Sequence, residues 1–319
     1  PFVIKEGFQI TLYELLHVGL LEYVPFIILL LALFTISGGV QLKGSLVGSP
    51  TLNTAILAIG TLLASWMGTT GAAMLLIRPL IRANSHRKNK VHVIVFFIFL
   101  VANIGGALTP LGDPPLFLGF LKGVDFFWTT KAMFLPMLFL VVCLLIIFYI
   151  YDTIQYKKEE TIPKPSSSEK IGIKGSFNLL LIIGVVFSVL LSGFWRPHID
   201  FNIYHVHVEL QNITRDLLLL ALAYASWKFT SKQIREANEF NWFPILEVAK
   251  LFAGIFITII PAIAILKAGT SGALALIVNS VSSDSGPVNH MYFWLTGILS
   301  SFLDNAPVSY IHLTLPTKA

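Results

Sequence analysis

Residues 103–115, NIGGALTPLGDPP, set an asparagine, a threonine, an aspartate, three glycines and three prolines inside an otherwise apolar run. Gly105, Gly106 and Gly112 admit backbone conformations that a side chain would block, and Pro110 removes a donor from any helix through it. A helix entering this stretch is therefore expected to break. Asp113 followed by Pro114 reads as an N-cap with proline at the first helical position, so a half-helix over 116–122 should restart with its positive end aimed into the break. Two chemistries suit such a place. Unwound carbonyls from Gly105 to Thr109 and the Asp113 carboxylate suit a cation. The half-helix end suits an anion.

Two further polar groups sit where apolar residues are expected. Residues 65–71, SWMGTTG, separate apolar arms at 51–64 and 72–83. Each arm reaches only ~20 Å at helical rise, too short to span, so the pair reads as a re-entrant hairpin with Ser65, Gly68, Thr69 and Thr70 at its tip. A second short arm from Met291 leads to Ser300, Ser301, Phe302, Leu303, Asp304 and Asn305. A carboxylate at membrane depth is costly unless paired or solvated, which makes Asp304 a functional candidate. Plainer roles are open too: Asp113 as a structural cap and Asp304 as an interfacial residue. ASWMGT at 64–69 and SSFLDN at 300–305 are weakly alike, as an inverted-topology repeat would require.

Other polar residues carry weaker signals. His205, His207 and Glu209 alternate as on a strand and form a faint metal candidate; Arg78 and Arg82 are expected to snorkel to headgroups. Glu247 and Lys250, one turn apart, are expected to pair. No zinc motif, nucleophile elbow or phosphate loop occurs, and no nucleophile–base pair argues for an intramembrane enzyme.

What positions these residues follows from composition. Hydrophobic residues make up 55% of the 319 and charged residues 12%, against roughly a quarter charged in soluble domains. Mean hydropathy is +0.78. An ordinary soluble enzyme, a disordered chain and a secreted domain are excluded, and an all-α polytopic membrane protein is left. The net charge of +5 does not point to nucleic acid, because the lysines and arginines sit between apolar runs, as the positive-inside rule describes. The one cysteine, Cys143, lies in an apolar run and supports neither a disulfide nor a metal cluster. Spans are expected at 24–42, 132–151, 176–195 and 244–266, with a polar outside loop over 196–215, a short return helix over 216–230 and the basic segment 82–90 in the cytoplasm. The expected organisation is a first repeat over 1–151, a Pro-Ser-rich cytoplasmic linker over 152–175, and an incomplete second repeat over 176–307. The start at Pro1 reads as internal to a longer protein. Residues 308–317, VSYIHLTLPT, differ at one position from VSYTHLTLPT, the translation of a transposon sequencing adapter, so 308–319 is expected to be adapter read-through.

The chain resembles the ion transporter superfamily of arsenite permeases, NhaD-type antiporters and citrate or dicarboxylate carriers, and most of all its bacterial sodium:proton antiporter and citrate transport branch. The likeness rests on EYVPFIILLLALFTISGG at 22–39, ASWMGTTGAAMLLIRPLIRAN at 64–84, NIGGALTPLGDPPLFLGFLKGVDFFW at 103–128, ILEVAKLFAGIF at 245–256 and SSFLDNAP at 300–307. It implies an inverted-topology repeat in which two hairpin tips and two broken helices enclose a midplane site. Here these would be Ser65, Gly68, Thr69 and Thr70, then Asn103, Gly105, Gly106, Thr109 and Asp113, then Ser301, Asp304 and Asn305. Sodium would sit at Asn103, Gly105 and Asp113. The tips depart from the Ser-Asn-Thr of dicarboxylate carriers, and two aspartates suit a cation better than a trivalent anion. The expected function is thus sodium:proton antiport by alternating access; the alternative is sodium- or proton-coupled transport of citrate or a related carboxylate, with an arsenite-type permease less favoured. No cofactor beyond sodium or proton is implied. A multi-pass protein of the bacterial inner membrane follows, with the lipid bilayer, a small cation or carboxylate and a second copy of the chain as partners. The second broken helix would lie beyond Pro307.

Overall fold

The computed structural model describes residues 3–4, 7–44, 46–159, 172–273, 275–283 and 286–302. Helix α1 (Phe8–Val18) passes through a π-helical turn, Gly19–Tyr23, into α2 (Val24–Ser37). Together they form one 30-residue apolar stretch, so this span begins earlier than residue 24 and ends earlier than 42. Gly38 and Gly39 terminate it, and β1 (Gln41–Lys43) follows, antiparallel to β2 (Gly172–Lys174).

Ser49 caps α3 (Pro50–Met67), its hydroxyl accepting from the Leu52 N–H at 3.2 Å. Helix α4 (Thr69–Ala83) follows after Gly68 alone, whose φ of +78° a side chain would strain. The hairpin is therefore present, but its tip is one glycine rather than the seven residues 65–71. Nothing in Ser65-Trp66-Met67 stops a helix, and α3 continues through them. With 18 residues it reaches ~27 Å, so the first arm is long enough to cross a membrane and is not the short arm expected.

Helix α5 (Val91–Phe97) loosens into a π turn, Ile98–Asn103, then tightens into a 3-10 turn, Ile104–Leu108. Thr109 is extended, and Asp113 precedes α6 (Pro114–Leu121). The break stands where the glycines and prolines put it, with the restart at Pro114 instead of residue 116. Helix α7 (Trp128–Tyr156) then runs 29 residues, ~43 Å. It carries Asp152, which the sequence reading gave to the linker; five more residues of helix follow residue 151 because Asp152 is buried among polar partners.

Helix α8 (Phe177–Phe194) leads to a two-stranded sheet of β3 (Asp200–Ile203) and β4 (Val206–Glu209), then α9 (Leu210–Phe229) and α10 (Lys232–Ala237). Helix α9 starts six residues before the expected 216, so Arg215 is helical and not part of an outside loop. Helix α11 (Phe243–Lys267), α12 (Ala275–Val281), a short β5–β6 pair (Ser282–Ser283 and Gly286–Pro287) and α13 (Asn289–Phe302) complete the described chain.

Six helical stretches among the described residues are long and apolar enough to cross a membrane. On α7, Leu135 and Phe139 are each 72% exposed, an apolar face that lipid covers and water would not. The chain is an all-α polytopic membrane protein.

Two compact units form. One comprises 26–199 and 209–245; the other 1–25, 200–208 and 246–319. In the second, the Tyr23 hydroxyl donates to the Ala249 carbonyl at 3.0 Å and the Tyr23 ring meets Phe256 edge-on. Val278 and Val281 pack with Met291, Tyr292 and Leu295. Glu247 and Lys250 do not form the expected pair among the described residues.

Candidate functional site

The first unit contains the hairpin tip and the helix break, and it laces them together. The Ser65 hydroxyl donates to the Gly105 carbonyl. The Thr109 hydroxyl donates back to the Ser65 carbonyl and accepts from the Leu111 N–H. The Thr69 N–H donates to the Gly112 carbonyl at 3.1 Å. A broken helix leaves backbone groups without helical partners, and inside a membrane each must find one. Here the neighbouring tip supplies them. Thr129 and Thr130 from the start of α7 both donate to the Leu108 carbonyl.

The glycines explain how the two segments come this close. A Cβ at Gly105 would lie 2.8 Å from the Ala64 Cβ, one at Gly106 2.8 Å from the Thr69 Cγ2, and one at Gly112 only 2.1 Å from the Gly106 carbonyl oxygen. The glycines are thus needed for contact between backbones more than for unusual dihedral angles.

Ser65, Gly68, Thr69, Gly105, Gly106, Thr109 and Asp113 are therefore brought to one place. Ser65, Gly68, Gly105, Gly106 and Thr109 are buried, Thr69 and Asp113 are half-buried, and Thr70 and Asn103 are exposed at the edge. Asp113 takes the N-cap position in extended conformation without a side-chain capping bond to α6. Carbonyls expected to be open to a cation are already in use: a sodium ion at Gly105 would share that oxygen with the Ser65 hydroxyl. Ser301 lies on α13, and Asp304 and Asn305 lie outside the described residues. Among the described residues no three His, Cys, Asp or Glu side chains come together as a metal site; His207 stands instead 2.5 Å from Asp200.

Sequence reasoning missed two buried polar clusters in the same unit. Asp152, fully buried, is 2.6 Å from Arg87 and 2.7 Å from the His92 Nε2, and accepts from Asn53 at 3.0 Å. Asn53 and Asn84 exchange amide hydrogen bonds at 2.9 and 2.8 Å. This cluster ties the start of α3, the end of α4 and the end of α7 at the end of the unit that carries the basic segment. An asparagine near the start of α3 and an aspartate at the end of a span were its only signals. Nearby, Glu159 accepts from the N–H groups of Asn89 and Lys88, which holds its carboxyl below the ordinary value. Arg78 reaches Glu239 at 3.1 Å and so has a partner where headgroup snorkelling was expected.

The second cluster centres on Arg235, which donates to the Thr35 and Ser226 carbonyls and lies within 5 Å of the ring centres of both Trp227 and Phe240. Asn178 bonds Ser226, Thr230 and the Gly39 carbonyl. The end of α2, whose last carbonyls lack helical partners, is held this way.

A family described as "Putative citrate transport" matches residues 1–318 of the chain. No curated protein and no solved structure matches it.

Proposed function

Because the chain belongs to the family described as "Putative citrate transport", a family of transporters, we propose that it is a secondary carrier for citrate or a related carboxylate, coupled to sodium or protons and working by alternating access. The observation that carries this reading is the lacing of the Ser65–Thr69 tip to the Gly105–Asp113 break. Lacing of this kind would line a substrate site with backbone and hydroxyl dipoles in place of apolar side chains. One substrate carboxylate would take hydrogen bonds from Thr69 and Thr70 and face the positive end of α6. The coupling cation would sit against Asn103, the shared Gly105 carbonyl and Asp113, offsetting substrate charge that Asp113 alone would repel. Ser301, Asp304 and Asn305 are the remaining residues proposed to bind substrate or coupling ion. The bilayer of a bacterial inner membrane, and a second copy of the chain, complete the proposed setting.

Sodium:proton antiport is the second reading, favoured by the Asp113 carboxylate at the break, which with Asp304 would hold cation and proton in turn. Proteoliposomes containing the chain separate the two. Carboxylate transport requires labelled citrate to accumulate under an inward sodium or proton gradient. Antiport requires sodium to dissipate an imposed pH gradient, read by a pH dye, with no citrate present. Citrate accumulation absent under both gradients would overturn the first reading.

A further inference from the structure

Five charged side chains are buried among the described residues: Glu22, Arg87, Asp152, Arg215 and Arg235. Four of them stand at or near helix ends. Arg87 and Asp152 pair near the end of α7, and Arg235 takes carbonyls in the last turns of α2 and α9. Arg215, near the start of α9, pairs with Asp216 at 2.8 Å and lies 5.7 Å from the centre of the Phe117 ring on α6. Glu22 differs in depth.

Glu22 is 4% exposed and lies on the 30-residue apolar stretch Phe8–Ser37, fourteen residues from one end and fifteen from the other. Those distances are ~21 and ~22 Å at helical rise. The hydrocarbon core is ~30 Å thick, so wherever it falls along the stretch Glu22 stands at least ~7 Å inside it. The next residue gives the same depth. Tyr23 bonds the Ala249 carbonyl and meets the ring of Phe256, the fourteenth of the 25 residues of α11.

The backbone singles out the same place. Pro25 has no N–H for the Leu21 carbonyl, four residues back. The helix opens there into the π turn Gly19–Tyr23, with the Val24 N–H bonded to the Gly19 carbonyl. Turns of this kind recur at functional sites in helices. Unlike the break at 104–109, this one keeps a helical ladder and offers no run of unwound carbonyls of the sort that holds sodium. A proton needs only one carboxylate oxygen, and it removes the charge that makes a carboxylate costly at this depth. The other titratable groups on this helix are Tyr13, Glu14, His17 and Tyr23, with the His17 ring packed against Tyr13 at 5.9 Å. On α11, the element that Tyr23 touches, they are Glu247 and Lys250, which flank Ala249, and Lys267 at the far end.

We propose that Glu22 is a proton-binding site of the transport cycle, separate from the laced tip and break. Its carboxylate takes a proton from water on one side of the membrane and returns it to water on the other, so each turnover moves one proton with the substrate. The coupling role rests on the carrier reading; the carboxyl at this depth does not.

The test pairs a thermodynamic readout with a spectroscopic one. In proteoliposomes containing the full chain, with the membrane potential clamped at zero, steady-state accumulation of labelled citrate is measured under a pH difference of about one unit, where each coupled proton is worth about tenfold. Accumulation in Glu22→Gln is expected to fall about tenfold below wild type, and equal accumulation would overturn the proposal. Infrared difference spectra of wild type and Glu22→Gln in nanodiscs, recorded across a pH titration, read the site without transport. The expected result is a protonated-carboxyl band that grows as pH falls and is missing from the variant. No such band, a band that ignores pH, or one that sodium removes at constant pH would each overturn the proton assignment. Should Glu22→Gln fail to fold, Glu22→Asp keeps a carboxyl in a changed position and is expected to shift the band; an unshifted band would overturn the assignment as well. A Glu22 band that titrates without any citrate transport would leave the proton site standing and the transport reading refuted.

Discussion

The Thr109 hydroxyl donates to the Ser65 carbonyl, and the Ser65 hydroxyl donates in turn to the carbonyl of Gly105. This reciprocal lacing makes the hairpin tip and the broken helix one piece of structure. Removing either hydroxyl leaves a buried carbonyl without its donor, at about 1–3 kcal/mol. Ser65→Ala and Thr109→Val are each expected to lower thermal stability in detergent by that order and to reduce citrate uptake further than the stability loss explains. Thr258→Val, on α11, which removes a hydroxyl bonded only within its own exposed turn, serves as the control and is expected to change neither.

Close backbone approach gives a second expectation. Gly112→Ala would place a methyl 2.1 Å from the Gly106 carbonyl oxygen, which cannot swing away, so the two sides of the break must separate, at about 1–3 kcal/mol or more. Gly254→Ala on α11 meets nothing within 4 Å and is expected to be neutral or to stabilise by roughly 0.5–1 kcal/mol. Melting temperatures of the two variants, compared side by side, check this.

The Asp152 cluster predicts non-additivity. Asp152→Asn strands the buried Arg87 guanidinium, a loss of about 3–5 kcal/mol for a broken buried pair. The double change Asp152→Asn with Arg87→Met is expected to recover a large part of that loss. A double-mutant cycle on unfolding free energy measures it; strict additivity would mean that the two groups do not interact.

Glu159 predicts a pH dependence confined to one loop. The N–H groups of Asn89 and Lys88 hold its folded-state carboxyl below its ordinary 4.5. Its contribution is therefore complete above that value and fades as pH falls through the lower, folded value. Protection of amides 88 and 89, taken relative to their intrinsic exchange rate at each pH, should fall on acidification in the wild type and should be low at every pH in Glu159→Ala.

How much of this was legible differs from residue to residue. The break was readable because Gly105, Gly106, Pro110 and the Asp113-Pro114 pair each forbid or restart a helix locally, whatever surrounds them. The hairpin was readable as a reversal but not in its length, since serine, tryptophan and methionine neither favour nor stop a helix strongly enough to mark its end. Asp152 and Arg215 were misread for one reason. Each stands at the end of an apolar run where a solvated loop is the usual context, and only the long-range partners Arg87, Asn53 and Phe117 make burial possible. Such pairings leave no periodic trace in a single sequence.

The central claim is that the laced tip and break bind the transported carboxylate. It is tested most directly by substrate protection at Thr70, exposed at the edge of the tip. In a Cys143→Ser background, which removes the one native cysteine, Thr70→Cys is reacted with a membrane-impermeant thiol reagent in vesicles of both orientations. The account predicts that saturating citrate, with sodium or at low pH to load the coupling ion, slows the reaction several-fold while sulfate does not. A labelling rate indifferent to citrate, in protein that still accumulates labelled citrate, would contradict it and move the substrate site elsewhere in the chain.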